Sequence, residues 1–179
     1  MRTLKSINGI KNSKGVTLVE LIIALAILNI VLAAAYNFFS FGNNSFIIGS
    51  NQSNVQRDIR TVSFFITKEV RNATEFVLLD TPDTPFESEY EYIWIDGATI
   101  KHIESGLETN KAICSILGDD SYFTLEQLSN GKNIINFIIK GQEGNQTNEL
   151  NSGILLNNLN NLSEITDPKK VIRYKGPSS

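Results

Sequence analysis

The stretch "KNSKGVTLVELIIALAILNIVLAAAYNFF", Lys11–Phe39, sets the terms for the rest of the chain. From Leu21 to Tyr36 every residue is apolar except Asn29, and residues 1–15 carry Arg2, Lys5, Lys11 and Lys14 with no acid. A basic head before an apolar run is a membrane-targeting pattern, with the positive side kept cytoplasmic. As a helix, Val16–Tyr36 is about 32 Å long, close to the ~30 Å hydrocarbon core of a bilayer. One carboxylate, Glu20, lies just inside this segment. An ionised group there costs about 2.5–3.5 kcal/mol or more, and such residues usually have a partner.

The apolar pattern continues beyond a membrane's width. Val55, Ile59, Val62, Ile66, Val70, Ala73 and Val77 step by 4, 3, 4, 4, 3 and 4, the period of an amphipathic helix. Arg57, Asp58, Arg60, Lys68 and Arg71 take other faces, and proline is absent before Pro82. The spacing predicts one long helix from about Val16 to about Phe76. It should be weakened at "FGNNS", where Gly42, Asn43 and Asn44 are poor helix formers.

A helix with a single apolar stripe needs a sheet to cover it. "EFVLLD" (75–80) reads as a strand, and "YEYIWIDGATIKHIE" (90–104) as a hairpin turning at Asp96-Gly97, of the type I′ kind. "SYFTLEQL" (121–128), "NIINFIIKGQ" (133–142) and "SGILLNNL" (152–159) read as further strands, with "GNQTN" (144–148) as a turn. "VIRY" (171–174) is a strand or part of a loose tail. The fold expected is α+β: a long N-terminal helix, transmembrane half plus amphipathic half, packed on an antiparallel β-sheet head.

At 179 residues the chain is one domain plus an appendage. Its net charge is -3, and without the first fifteen residues it would be -7 (twelve bases, nineteen acids). A surface that acidic argues against direct nucleic-acid binding. Cys114, the sole cysteine, sits in an apolar stretch and is expected to pack in the core, and His102 is the sole histidine. One of each leaves little material for a zinc site or a catalytic dyad. The acidic run Asp80, Asp83, Glu87, Glu89 and Glu91 flanks two prolines and reads as a solvated loop, with calcium as the rarer use of such a loop. Asp119-Asp120 reads as a turn. Lys169, Lys170, Arg173 and Lys175 form a basic tail, read as a solvated terminus or a contact for an acidic neighbour. No nucleophile–base arrangement, glycine-rich nucleotide loop or spaced carboxylate pair is present. We therefore expect no enzyme activity, no cofactor and no metal.

Three readings of the N-terminal segment compete. A conventional signal peptide would be cut in "LAAAY", with Ala33 and Ala35 as the small residues before the cut. An uncleaved anchor is the second. Neither accounts for Glu20, nor for the apolar run through Phe38, Phe39 and Phe41. The third rests on a resemblance: "KGVTLVE" resembles the processing motif of type IV pilins and pseudopilins. That family pattern is a basic leader ending in Gly, a cut, an apolar residue, Thr-Leu-x-Glu and a long hydrophobic helix. The resemblance implies a prepilin peptidase cut between Gly15 and Val16, N-methylation of Val16, and Glu20 as the family's characteristic glutamate. Glu20 would then meet the α-amine of a neighbouring subunit and set the axial stagger of assembly.

Val16 stands where Phe is usual, and Asn37 where many major pilins carry proline. The helix "NVQRDIRTVSFFITKEVRNATEF" followed by an "IDG" hairpin is similar to J-type minor pseudopilins and W-type minor pilins. The domains implied are a leader at 1–15, a transmembrane and filament-core helix at 16–41, an amphipathic half at 42–78 and a β-rich head at 79–179. The implied partners are the prepilin peptidase, other pilin or pseudopilin subunits and the membrane. The implied location is the cytoplasmic membrane with the head outside, then a filament. The rival is a secreted or tethered β-domain binding module with an ordinary signal peptide.

Overall fold

The computed structural model describes residues 15–104, 106–111 and 115–176. Two compact units divide the chain, Met1–Ser45 and Phe46–Ser179. Helix α1 runs from Leu18 to Val70 and stays helical through Gly42–Asn44. In the first unit none of the described side chains is buried. Asn29, the polar exception in the apolar run, donates from Nδ2 to the Leu25 carbonyl at 2.8 Å. Its amide thus bonds within its own helix.

In the second unit the rest of α1 buries Val55, Ile59, Val62, Ile66 and Val70 almost completely. Each such side chain contributes about 1.5–3 kcal/mol. They pack with Ile93, Ile100 and Ile172 of one sheet and Phe123, Ile135, Phe137 and Ile154 of another, in one core. The first sheet is built from β1 (Glu75–Leu79), β2 (Glu91–Asp96), β3 (Thr99–Glu104), β4 (Leu107–Asn110) and β10 (Val171–Lys175), in the order β1-β10-β2-β3-β4. All its neighbours are antiparallel. The second sheet holds β5 (Ser115–Ile116), β6 (Tyr122–Gln127), β7 (Lys132–Glu143), β8 (Gln146–Asn160) and β9 (Ile165–Lys169). There β7 is central: β8 lines one edge, β5 and β6 share the other, and β9 adds to β6. The architecture is the expected one, a long helix with antiparallel sheets.

Several local expectations need correction. The helix ends at Val70, not near Phe76, and the chain just past its end is tied to another strand. The Arg71 carbonyl accepts the Asn157 N–H at 3.0 Å. The Asn72 carbonyl accepts from Asn158 Nδ2, and Asn72 Oδ1 from Asn157 Nδ2, both at 2.8 Å. In the last helical turn the carbonyls of Thr67 and Val70 accept from the Arg71 and Ala73 N–H groups, and β8 holds the two residues that follow. Val77 consequently leaves the stripe: on β1 it is exposed while Phe76 and Leu78 face the core.

The β2–β3 turn uses Gly97-Ala98, since Asp96 pairs with Thr99. Positive φ falls on Gly97 (+54°) and not on Ala98, the sign pattern of type II′ rather than I′. The β7–β8 hairpin repeats this with Gly144 (φ +57°) and Asn145. Gln146–Asn148, read as turn, therefore begins the longest strand. β10 is no loose tail, because it lies between β1 and β2. Three strands went unread: β4 is short and polar, β5 has two residues, and β9 carries Pro168, tolerated because β9 is an edge.

Candidate functional site: the capped start of the apolar helix

Gly15, Val16 and Thr17 precede α1 in non-helical backbone, and all three are exposed. The Glu20 N–H donates to Thr17 Oγ1 at 3.2 Å. In return, Glu20 Oε2 accepts from the Thr17 N–H at 2.9 Å and from its hydroxyl at 3.0 Å. This reciprocal arrangement is a capping box, in which Thr and Glu three residues apart satisfy donors that a helix start leaves bare. The carboxylate also sits at the positive end of the helix dipole. Glu20 thus has partners within its own chain, which the sequence reading overlooked. The Thr-x-x-Glu spacing before an apolar run was the available signal. Every group in the box lies C-terminal to the Gly15–Val16 bond, so scission there would leave it intact.

α1 contains a stretch long and apolar enough to cross a membrane, none of it buried within the protein. Ala33 and Ala35, the small residues of the alternative cut, lie in mid-helix. The basic residues of 1–14, like Cys114, lie outside the described residues.

In the second unit the acidic run and the basic tail meet each other. Arg173 donates from Nη1 to Asp83 Oδ2 and Glu87 Oε1, both at 2.9 Å. Lys169 pairs with Asp80 at 3.0 Å and Lys175 with Glu89 at 3.2 Å. The guanidinium of Arg173 lies 4.8 Å from the Tyr90 ring centroid. Tyr90 donates to Glu75 at 2.6 Å, a bond that holds its phenol above the usual range. Phe86 packs edge-on against Tyr92 and beside Trp94, seating the loop on the sheet face away from the helix. Lys170 instead donates to the carbonyls of Gly118, Asp119 and Ser121, closing the short 3₁₀ turn at Gly118–Asp120. The acidic loop is solvent-exposed, as expected, with Asp80 and Glu89 each 74% exposed. The basic residues are not a loose tail, since β10 lies inside the sheet and Lys169, Arg173 and Lys175 reach the loop's carboxylates. Together they form one electrostatic clasp across β1, β10 and β2.

Glu91 turns inward. It accepts from the Tyr174 hydroxyl at 2.6 Å, and that hydroxyl lies 3.0 Å from His102 Nε2. Burial, then the bond to Glu91, raises the Tyr174 pKa. Burial pushes the His102 pKa down, with Lys111 adding to the effect. The Phe65 ring closes over His102 at 5.0 Å, and Lys111 lies over Phe65 at 4.6 Å. Among the described residues no group of three His, Cys, Asp or Glu side chains is placed to hold a metal.

Residues 10–36 match the family described as the prokaryotic N-terminal methylation motif. No curated protein matches the chain. Among solved structures, a mutant of the PilB minor pilin from Streptococcus sanguinis is similar at TM-score 0.53 and 16% identity. The match covers 70% of this chain and 35% of that one, so the shared fold occupies about a third of the streptococcal protein. The chain thus carries a methylation motif over the residues that include Gly15, Val16 and Glu20, and its fold is similar to that of a minor pilin.

Proposed function

We propose that the chain is a minor pilin or pseudopilin, a non-catalytic structural subunit of a type IV pilus or of a secretion or competence pseudopilus. The basic leader inserts it in the cytoplasmic membrane with the head outside. A prepilin peptidase cuts between Gly15 and Val16, and Val16 is N-methylated. The subunit then leaves the membrane by packing its apolar helix against those of other pilins. The observation that carries this reading is the methylation motif placed directly on the capped start of an apolar, unburied helix.

The capping box refines the role proposed for Glu20. Both of its side-chain bonds fall on Oε2, and a carboxylate offers about four acceptor positions. Oε1 can take the α-amine of a neighbouring subunit while Oε2 holds the helix start. A pair formed this way selects register, since removing one partner of a buried pair typically costs about 3–5 kcal/mol.

The test is fractionation of sheared surface filaments from the native host. The mature chain should be found there with other pilins. Gly15→Leu should keep the chain at full length and out of the filaments. A chain secreted singly, with its helix removed, would refute the proposal.

A further inference from the structure

The exposed face of α1 in the second unit is polarised in a way that neither membrane insertion nor core packing requires. Arg57, Arg60, Phe64, Lys68 and Arg71 are spaced by 3, 4, 4 and 3, so they share one helical face, and all are exposed. Phe64 is 72% exposed at the centre of this row. The two carboxylates of this half of α1 lie off the face, Asp58 buried and Glu69 half-buried. Arg57 bonds Asn54, and Lys68 lies 3.5 Å from Glu69. Among the described residues, the guanidinium groups of Arg60 and Arg71 meet no carboxylate. The cations of β9 and β10, by contrast, are all engaged.

The remainder of the chain has the opposite sign. From residue 72 on there are eight bases and sixteen acids. Outside the clasp, Glu104 and Glu149 are exposed, Glu149 beside Arg60 of the same chain, and so are Glu126 on β6, Glu164 just before β9 and Asp167 on β9, with Glu126 accepting from Asn136 Nδ2 at 3.0 Å. Leu125 and Ile165, the sequence neighbours of Glu126 and Glu164, are paired across the two strands, and Asp167 follows two residues further along β9. An exposed aromatic ringed by arginines is the composition of an interface centre, and opposed charge sets its partner and its orientation.

We infer that the Arg57–Arg71 face of one copy docks on the Glu126–Glu164–Asp167 edge of a second copy, with Phe64 at the centre of the contact. The inference rests on the filament reading and extends it to the head. The two surfaces sit on different elements, so the contact joins unlike patches.

The test uses the full-length chain in its native host, with a photoreactive benzophenone amino acid replacing Phe64. Two epitope-tagged versions are co-expressed so that cross-links between copies can be recognised. The expected product joins the two tags and maps to peptides containing Glu126, Glu164 or Asp167. Arg57→Glu, Arg60→Glu and Arg71→Glu together should lower its yield about tenfold, the combined effect of three exposed pairs. Glu126→Lys, Glu164→Lys and Asp167→Lys in the second copy should restore it. Cross-links only to other proteins, lipid or nucleic acid, or a loss that the reversed partner does not restore, would overturn the inference. The mature N-terminus of the same sample reports separately on the filament reading. A chain starting at Val16 without the cross-link refutes this contact alone.

Discussion

Replacing Arg173 by Met keeps an apolar stem in β10 and removes the guanidinium. Nη1 then no longer bridges Asp83 and Glu87, each at 2.9 Å, and the stacking over Tyr90 is lost. A hydrogen bond to a charged group is worth about 1.5–3 kcal/mol, whereas an exposed ion pair gives about 0.2–1 kcal/mol. The Arg173 side chain is 21% exposed but its partners are 38% and 53% exposed, so both carboxylates rehydrate when it is gone. The two bonds together therefore contribute about 2 kcal/mol, and the cation–π contact about 0.5–1 kcal/mol more. For a chain of this size that lowers Tm by about 5–10 °C. The assay is thermal unfolding of the detergent-solubilised full chain, with Asp83→Asn and the double variant completing a cycle. A coupling energy of about 1 kcal/mol is expected between Arg173 and Asp83. A loss under about 0.5 kcal/mol with additive single effects would refute the clasp and return Arg173 to a solvated tail.

Other expectations follow from the same geometry. Phe123→Ala empties a fully buried position in the core shared by helix and sheets and should cost about 3–5 kcal/mol in the same unfolding assay. Thr17→Ala breaks the capping box and should cost about 1 kcal/mol of local helix stability. Faster amide exchange at residues 18–20 in detergent would report it, while the sheets stay unchanged. Gly144→Ala forces a side chain into φ +57° with its Cβ 2.8 Å from Asn51 Nδ2, and about 1–2 kcal/mol should be lost. His102 is held neutral by burial, its folded pKa below its unfolded value. The unfolded chain takes up the proton first, so the His102 contribution is complete above about pH 6.5 and falls as pH drops below it. His102→Gln should flatten the stability profile between pH 7 and pH 5, and an unchanged slope would contradict this assignment.

The parts legible in the sequence were those written in short-range periodicity. The Val55–Val70 stripe, the alternation of β7 and the Gly97 hairpin each declare themselves within a few residues. What stayed hidden depends on partners far along the chain. Past Val70 the chain leaves the helix, with residues 71 and 72 tied to Asn157 and Asn158 of β8, and a helical stripe drawn through Val77 cannot reveal that. "VIRYK" is too short to declare its place, yet it fills the gap between β1 and β2 and brings Arg173 and Lys175 to the acidic loop. Net charge likewise concealed pairing: acids that read as solvent-facing are held by bases some 90 positions away in sequence. Glu20 was found by its family resemblance, while its bonds to Thr17 were legible in the spacing and went unread.

The most direct measurement is the mass and terminal sequence of the mature protein from its native host, by mass spectrometry. A chain beginning at Val16 and carrying an N-methyl group is the expected result. A chain beginning at Tyr36, or one retaining Met1, would contradict it.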